Sequence, residues 1–283
     1  MISMTVVTGA LEQGLIYALV ALALFLSYRV LNIADMTTDG SFTLGCAVSA
    51  TLAVAGHPFL ALPAAMAAGA AAGFITAMLQ TRFRVPSILA GIITNTGLYT
   101  VNLAVMGFSS NVNMLRASTI FSVLGVSSKM IPIAVITALA AVLLVWFLST
   151  RVGLSIRATG DNPDMVRASS INTRLTVTIG LCIANAMTAL SGAVLAQYQK
   201  SADINLGTGM VVIGLASLII GQTLMPKGKL WLQALGAVAG SVLYRFIIAI
   251  ALRLDLPSEC LKLISAVIVA VAIALPAMKK KEG

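Results

Sequence analysis

The sequence predicts an all-α fold: a polytopic transmembrane helical bundle of about nine spans, N-terminus outside and C-terminus inside, with a short helix in its main cytoplasmic loop. Three observations predict it. Of 283 residues, 59% are hydrophobic and 10% charged, with a mean hydropathy of +1.01, where a soluble domain carries roughly a quarter charged residues. Several apolar runs reach the roughly 20 residues that cross a bilayer. The basic residues lie in short loops, twelve of the eighteen on one side of the predicted scheme. The positive-inside rule makes that side cytoplasmic.

In chain order, the spans are expected near 5–28, 40–56, 59–80, 86–107, 131–149, 175–197, 207–225, 230–252 and 260–277, within a single transmembrane domain over 1–283. The first run has no basic segment before it and no small-residue cleavage signal, so it is expected to remain as a span. Before the second run, NIADMTTDGSF sets Asp35, Thr37, Thr38, Asp39 and Ser41 beside a glycine. That suits a helix starting in a cavity or at the cytoplasmic surface, with Asp39 as its cap. The seventh run, LGTGMVVIGLASLIIGQTLM, is rich in glycine and ends on Gln222 and Thr223; a short or broken helix lining a path and a tightly packed span are both consistent with it. Gly69–Gly73 and Gly236–Gly240 have the GxxxG spacing of close helix contacts, within a chain or between two. Residues 107–130 form an outside loop with a short interfacial helix.

The stretch Leu154–Arg174 is the main polar loop. Within it Asn162 is a good N-cap, Pro163 suits the first helical position, and Asp164 complements the positive end of the helix dipole. Ser169, Ser170 and Asn172 compete for backbone hydrogen bonds. The helix is therefore short, about two turns or roughly 12 Å, with Met165, Ala168 and Ser169 on one face.

Glu12 and Arg245 fall at matching depth in the first and eighth runs. A charge at bilayer depth faces a partner or a cavity, so the two form either an ion pair or a site for the ammonium and carboxylate of a zwitterion. Asn95, Tyr99 and Asn102 recur along one face of the fourth run, and Asn185 adds a polar group to the sixth; interhelical hydrogen bonding and substrate contact are the alternatives. Cys46, Cys182 and Cys260 are isolated and read as small core residues. No GxxxxGK[ST], HExxH or GxSxG occurs, and there is one His. The chain thus has no signature of its own for binding nucleotide phosphates or for hydrolysis, and its positive charge is accounted for by orientation rather than by nucleic acid.

The run STRVGLSIRATGDNPDMVRASSINTRLTVTIGLCIANAMTALSGAVLAQYQ resembles the cytoplasmic loop and following span of ABC importer permeases of the branched-chain amino acid and ribose type. SYRVLNIADMTTDGSFTLGCAVSA and SILAGIITNTGLYTVNLAVMG narrow the resemblance to the tryptophan/tyrosine ABC permease subfamily. It implies an integral permease subunit in the bacterial inner membrane, paired as a homodimer. Two cytoplasmic ABC ATPase subunits carry ATP and Mg, with no cofactor in this chain, and an external substrate-binding protein delivers the solute, an amino acid with an aromatic one favoured. It also implies that Gly160, Asp161, Asn162, Pro163, Asp164, Met165, Val166, Arg167 and Ala168 form the coupling helix that docks on the ATPase. The translocation path would then draw on Glu12, Asn95, Tyr99, Asn102, Asn185 and Arg245. The alternative is an ion-coupled secondary transporter using Glu12 and Asp39, which would call for broken helices in two inverted halves; no such symmetry is evident.

Overall fold

The computed structural model describes residues 4–125, 128–225 and 228–253, and Val267. Helix α1 (Met4–Leu24) continues into a π-helical stretch, Phe25–Val30. It is followed by α2 (Thr38–Val54), α3 (Pro58–Thr81), α4 (Ser87–Val105), strand β1 (Asn111–Asn113), α5 (Ile120–Val123), α6 (Met130–Leu148), α7 (Arg151–Asp161), α8 (Pro163–Ala168), α9 (Thr173–Gln199), strand β2 (Ser201–Asp203), α10 (Met210–Leu224) and α11 (Leu230–Arg253).

Among the described residues, six helices are long and apolar enough to cross a membrane: Met4–Val30, Pro58–Thr81, Ser87–Val105, Met130–Leu148, Thr173–Gln199 and Leu230–Ala251. They correspond to the first, third, fourth, fifth, sixth and eighth expected spans. The second and seventh, the two with unusual composition, are the short ones. At 1.5 Å per residue, the 17 residues of α2 reach about 26 Å and the 15 of α10 about 23 Å, below the roughly 30 Å hydrocarbon core. The ninth expected span, 260–277, lies outside the described residues apart from Val267, as do Lys227, Cys260, Lys262 and the terminal lysines.

At the centre lie α1, buried almost continuously from Ile16 to Leu26, and α9. Small hydroxyls fasten neighbours to α1 by donating to its backbone carbonyls: Ser241 to Gly14 (2.8 Å), Thr137 to Leu15 (3.0 Å) and Ser191 to Ile16 (2.7 Å). Three consecutive carbonyls thereby bind α11, α6 and α9. In an apolar medium such hydrogen bonds and close backbone approach replace the hydrophobic effect as the source of helix association. The same device joins α2 to α9, where Ser49 donates to Ala193 O (3.0 Å) and Cys46 to Gly192 O (3.2 Å).

Both GxxxG motifs act within the chain. A Cβ on Gly69 or Gly73 would strike the carbonyls of Asn185 or Leu181 on α9, and one on Gly240 would strike α10 at Ser217. At one end of the bundle the loop between α4 and α6 carries β1, which pairs with β2 in antiparallel register, Asn111 opposite Asp203. Its short helix α5 carries a Thr119–Ser122 capping box and is tied to α9 by Ile120 N–H donating to Gln197 Oε1 (2.9 Å). That end holds Arg116, Lys129 and Lys200; the opposite, arginine-rich end holds Arg29, Arg84, Arg157, Arg167 and Arg174.

Candidate functional site

The polar loop at the arginine-rich end is two helices. Thr150 accepts from Gly153 N–H (3.3 Å) and starts α7, which buries Gly153, Ile156 and Thr159 and exposes its arginines. The expected loop over Leu154–Asp161 is therefore corrected: its polar residues occupy the solvent face of an amphipathic helix. Two contacts root α7. Gly160 lies directly against the Val30 carbonyl at the end of α1's π stretch, and the Thr159 and Thr176 hydroxyls are 2.9 Å apart.

Asn162 then turns the chain. In extended conformation, it ends α7 and caps α8, its Oδ1 accepting from the N–H groups of Asp164 (3.1 Å) and Met165 (3.0 Å). Helix α8 has six residues, about 9 Å, and a helix so short does not persist without caps or packing. Val166, 1% exposed, anchors it, while Met165 is 59% exposed. Arg167 donates through Nη1 to Asp164 Oδ1 (3.1 Å) and through Nε to Thr173 Oγ1 (3.3 Å). Ser170, at positive φ, closes the turn, and Asn172 caps α9 by accepting from Arg174 and Leu175 N–H groups. The result is a small rigid projection, exposed at its tip and rooted in the two central helices.

The second feature lies deep in the bundle. Asp35 Oδ1 accepts from Thr37 N–H (2.9 Å), and its Oδ2 accepts from Asn185 Nδ2 (2.7 Å), while Ser41 donates to Asn185 Oδ1 (2.6 Å). Asn185 is near the middle of α9, so α2 begins well inside the bundle rather than at its surface. Asp39 is not its cap. The Asp39 carboxylate accepts from Gly209 N–H and Val211 N–H, both at 2.9 Å, and so caps α10 across space. Two short helices thus begin at one depth, and their positive N-terminal ends each meet a carboxyl group, the buried Asp35 and the half-buried Asp39.

Beside this junction is a cavity of about 270 Å³ lined by Asp39, Gly40 and Thr43, by Asn95, Thr96, Tyr99 and Asn102 of α4, and by Ile204, Asn205, Gly207 and Thr208. The expected α4 stripe therefore comes together on one wall. Asn102, 2% exposed, donates to Gly40 O (3.2 Å), which fixes the sense of its amide; its Oδ1 is buried with no partner among the described residues.

Glu12, Asn185 and Arg245 do not line this cavity. Among the described residues the only ion pair is Arg167–Asp164, so the alternative of a Glu12–Arg245 pair is corrected. Glu12 accepts from the Tyr198 hydroxyl (2.9 Å), and the Arg245 guanidinium lies 3.7 Å over the Tyr17 ring. The cause is side-chain direction. Helices α1 and α11 are antiparallel, and side chains lean toward their own helix N-terminus. Glu12 and Arg245 therefore lean apart from matching depth, each toward a tyrosine.

Comparison with known proteins places the whole chain. Residues 6–275 match the family described as branched-chain amino acid transport system, permease component. The chain belongs to this family. It is 33% identical over 272 residues to a tyrosine transport system permease protein of Clostridioides difficile, covering 96% of this chain and 91% of that one. It is 32% identical over 283 residues to an uncharacterised protein of Rickettsia prowazekii, covering 99% and 100%, and 26% identical over 280 residues to the ribose import permease protein of Escherichia coli K12, covering 95% and 85%. No solved structure gives a significant match.

This permease is thus a multi-pass membrane subunit of an ABC importer, a transport subunit without an ATPase domain. The family implies ATPase and binding-protein partners. The family match decides against the ion-coupled alternative; of its proposed residues, Asp39 caps α10 and Glu12 accepts from the Tyr198 hydroxyl. Sequence reasoning missed Val166 as the anchor of α8, and it missed Thr43, Asn205 and Thr208 as cavity walls. The signal for Val166 was an apolar residue inside a polar segment. The cavity walls come from three separate segments, and no local pattern links them.

Proposed function

We propose that this permease carries a small amino acid, with an aromatic side chain favoured by its similarity to the tyrosine permease, along a path through the cavity beside Asp39 and Asn102. The observation that carries this reading is the buried, unpartnered Asn102 Oδ1 on a polar wall with Asn95 and Tyr99. An acceptor without a donor at bilayer depth is costly, and a passing ammonium or hydroxyl would satisfy it. The volume lies near the lower end of the roughly 300–1,000 Å³ of small-molecule sites, suiting one amino acid and excluding a peptide.

In this reading the arginine-rich end faces the cytoplasm, with the N-terminus outside and the C-terminus inside, and the chain works as a homodimer. Residues Gly160–Ala168 dock on an ATPase subunit through the exposed tip of α8, and closure of the ATPases moves α7 and α8 as a rigid body against α1 and α9. Glu12 and Arg245 act on the outer approach to the path, where Arg245 is the cation for a carboxylate. Asn185 has a supporting part, holding the start of α2.

The test is ATP-dependent uptake by the permease reconstituted with its copurifying ATPase and binding protein, with tyrosine, tryptophan, leucine and ribose as competitors. Asn102→Ala and Tyr99→Ala should lower uptake while leaving folding intact. Normal uptake by both folded variants would refute the path, and failure to copurify an ATPase would refute the docking role.

A further inference from the structure

A cleft of about 650 Å³ opens at the arginine-rich end between the end of α3, α8 and the start of α9. Among the described residues its charged lining is Arg84, Arg167 and Arg174, with no carboxylate. Gln80 also lines it, and its Nε2 is a buried donor with no acceptor among the described residues. The nearest acids are directed elsewhere. Asp164 binds Arg167 from the exposed side of α8, its side chain 86% exposed, and Asp161 lines a separate cleft with Arg29 and Arg157. Asp35 is enclosed by Thr37 and Asn185.

Arg167 already shares the Asp164 carboxylate, whereas Arg84 and Arg174 have no ionic partner among the described residues, and the Gln80 amide donor adds an unmet hydrogen bond. An anion meets both needs, and guanidinium forks match the oxygens of a phosphate group. The cleft exceeds what inorganic phosphate alone fills. Met78, Phe83 and Leu175, within two residues in sequence of the lining residues Gln80, Arg84 and Arg174, are exposed apolar side chains against which acyl chains could lie. Basic pockets between helices at the cytoplasmic surface are suited to anionic headgroups.

We propose that this cleft binds a phosphate group, supplied by an anionic phospholipid headgroup or by a soluble phosphate, and that its occupant braces α8 against α3 and α9. The leaflet concerned follows from the orientation proposed above; the phosphate chemistry does not depend on it.

The experiment uses the purified full-length permease in neutral detergent. Thermal unfolding and native mass spectrometry are recorded with phosphatidylglycerol, phosphatidylcholine or inorganic phosphate, for the unaltered chain and for Arg84→Gln, Arg174→Gln and Gln80→Ala. Stabilisation by phosphatidylglycerol but not phosphatidylcholine, with affinity weakened about tenfold by each arginine substitution, supports the site with lipid as the source. Equal arginine-dependent stabilisation by inorganic phosphate supports the same site with a soluble source. Stabilisation unaffected by any of the three substitutions, or none by either phosphate compound, overturns the proposal. Should the arginine variants fold poorly, the unaltered chain still decides, because a preference for phosphatidylglycerol that survives high salt is not a guanidinium–phosphate contact. Labelling of Met165→Cys from the cytoplasmic side tests the orientation separately.

Discussion

Replacing Asn162 by Ala isolates what holds α8, the proposed coupling helix, together. The side chain is exposed and makes two hydrogen bonds, to the N–H groups of Asp164 (3.1 Å) and Met165 (3.0 Å), so its loss leaves the buried bundle untouched. Losing an N-cap of this kind costs about 1 kcal/mol, within a range of roughly 0.5–2, and 1 kcal/mol changes an equilibrium about fivefold. Helix α8 has only six residues, and its remaining support is the Val166 anchor and the Arg167 contacts. Opening of α8 should therefore become about fivefold more frequent, and transport per ATP hydrolysed should fall with it. The assay pairs amide hydrogen exchange over Pro163–Ser169 with uptake and ATP hydrolysis in proteoliposomes containing the ATPase and binding protein. Asn162→Ser and Asn162→Asp, which also cap, should behave nearly as the native residue does. If Asn162→Ala leaves both exchange and the uptake-to-hydrolysis ratio unchanged, the cap is not what keeps α8 rigid and the rigid-body account of coupling fails.

Other outcomes follow from the same geometry. Met165→Asp and Arg167→Glu should abolish stimulation of the ATPase by the permease with little change in thermal unfolding, because both side chains are exposed on α8. Gly160→Ala forces a Cβ onto the Val30 carbonyl and should lower stability by at least about 1 kcal/mol, the lower range for overpacking, seen as reduced folded yield and an earlier melting transition. Asp39→Ala removes two charge-assisted hydrogen bonds from the start of α10 and should cost about 1.5–3 kcal/mol for each bond that water cannot replace; Asp39→Asn should recover part of this in the same unfolding measurement.

Much of the bundle was legible because hydrophobic runs and basic loops are direct consequences of the bilayer. The second and seventh runs were also recognisable as unusual, since Asp35, Asp39 and the glycines have no place in a plain lipid-facing span. That their helix starts meet, with Asp39 capping α10, could not be read, because the contact links residues 170 positions apart. Asn162, Pro163 and Asp164 announced α8 through local chemistry, and local chemistry is what a sequence displays. Helix α7 was overlooked although Thr150 was a readable cap, because the polar count of LSIRATGD masked the buried face of Gly153, Ile156 and Thr159. For Glu12 and Arg245 the sequence offered an expected depth and no direction. The direction in which each side chain leans depends on which helix runs which way, and that needs the tertiary arrangement.

The cap that Asp39 supplies to α10 also constrains how the chain is made. Helices α2 and α10 are both too short to be released into lipid as independent spans. Asp39 emerges from the ribosome 170 residues before the first of its two partners. Until Gly209 and Val211 arrive, the carboxylate must wait in a place where water or the insertion machinery can hold it. The cavity lined by α2 and the segment before α10 is thus completed late in biogenesis, after α9 is in place, and an incomplete chain lacks one of its walls.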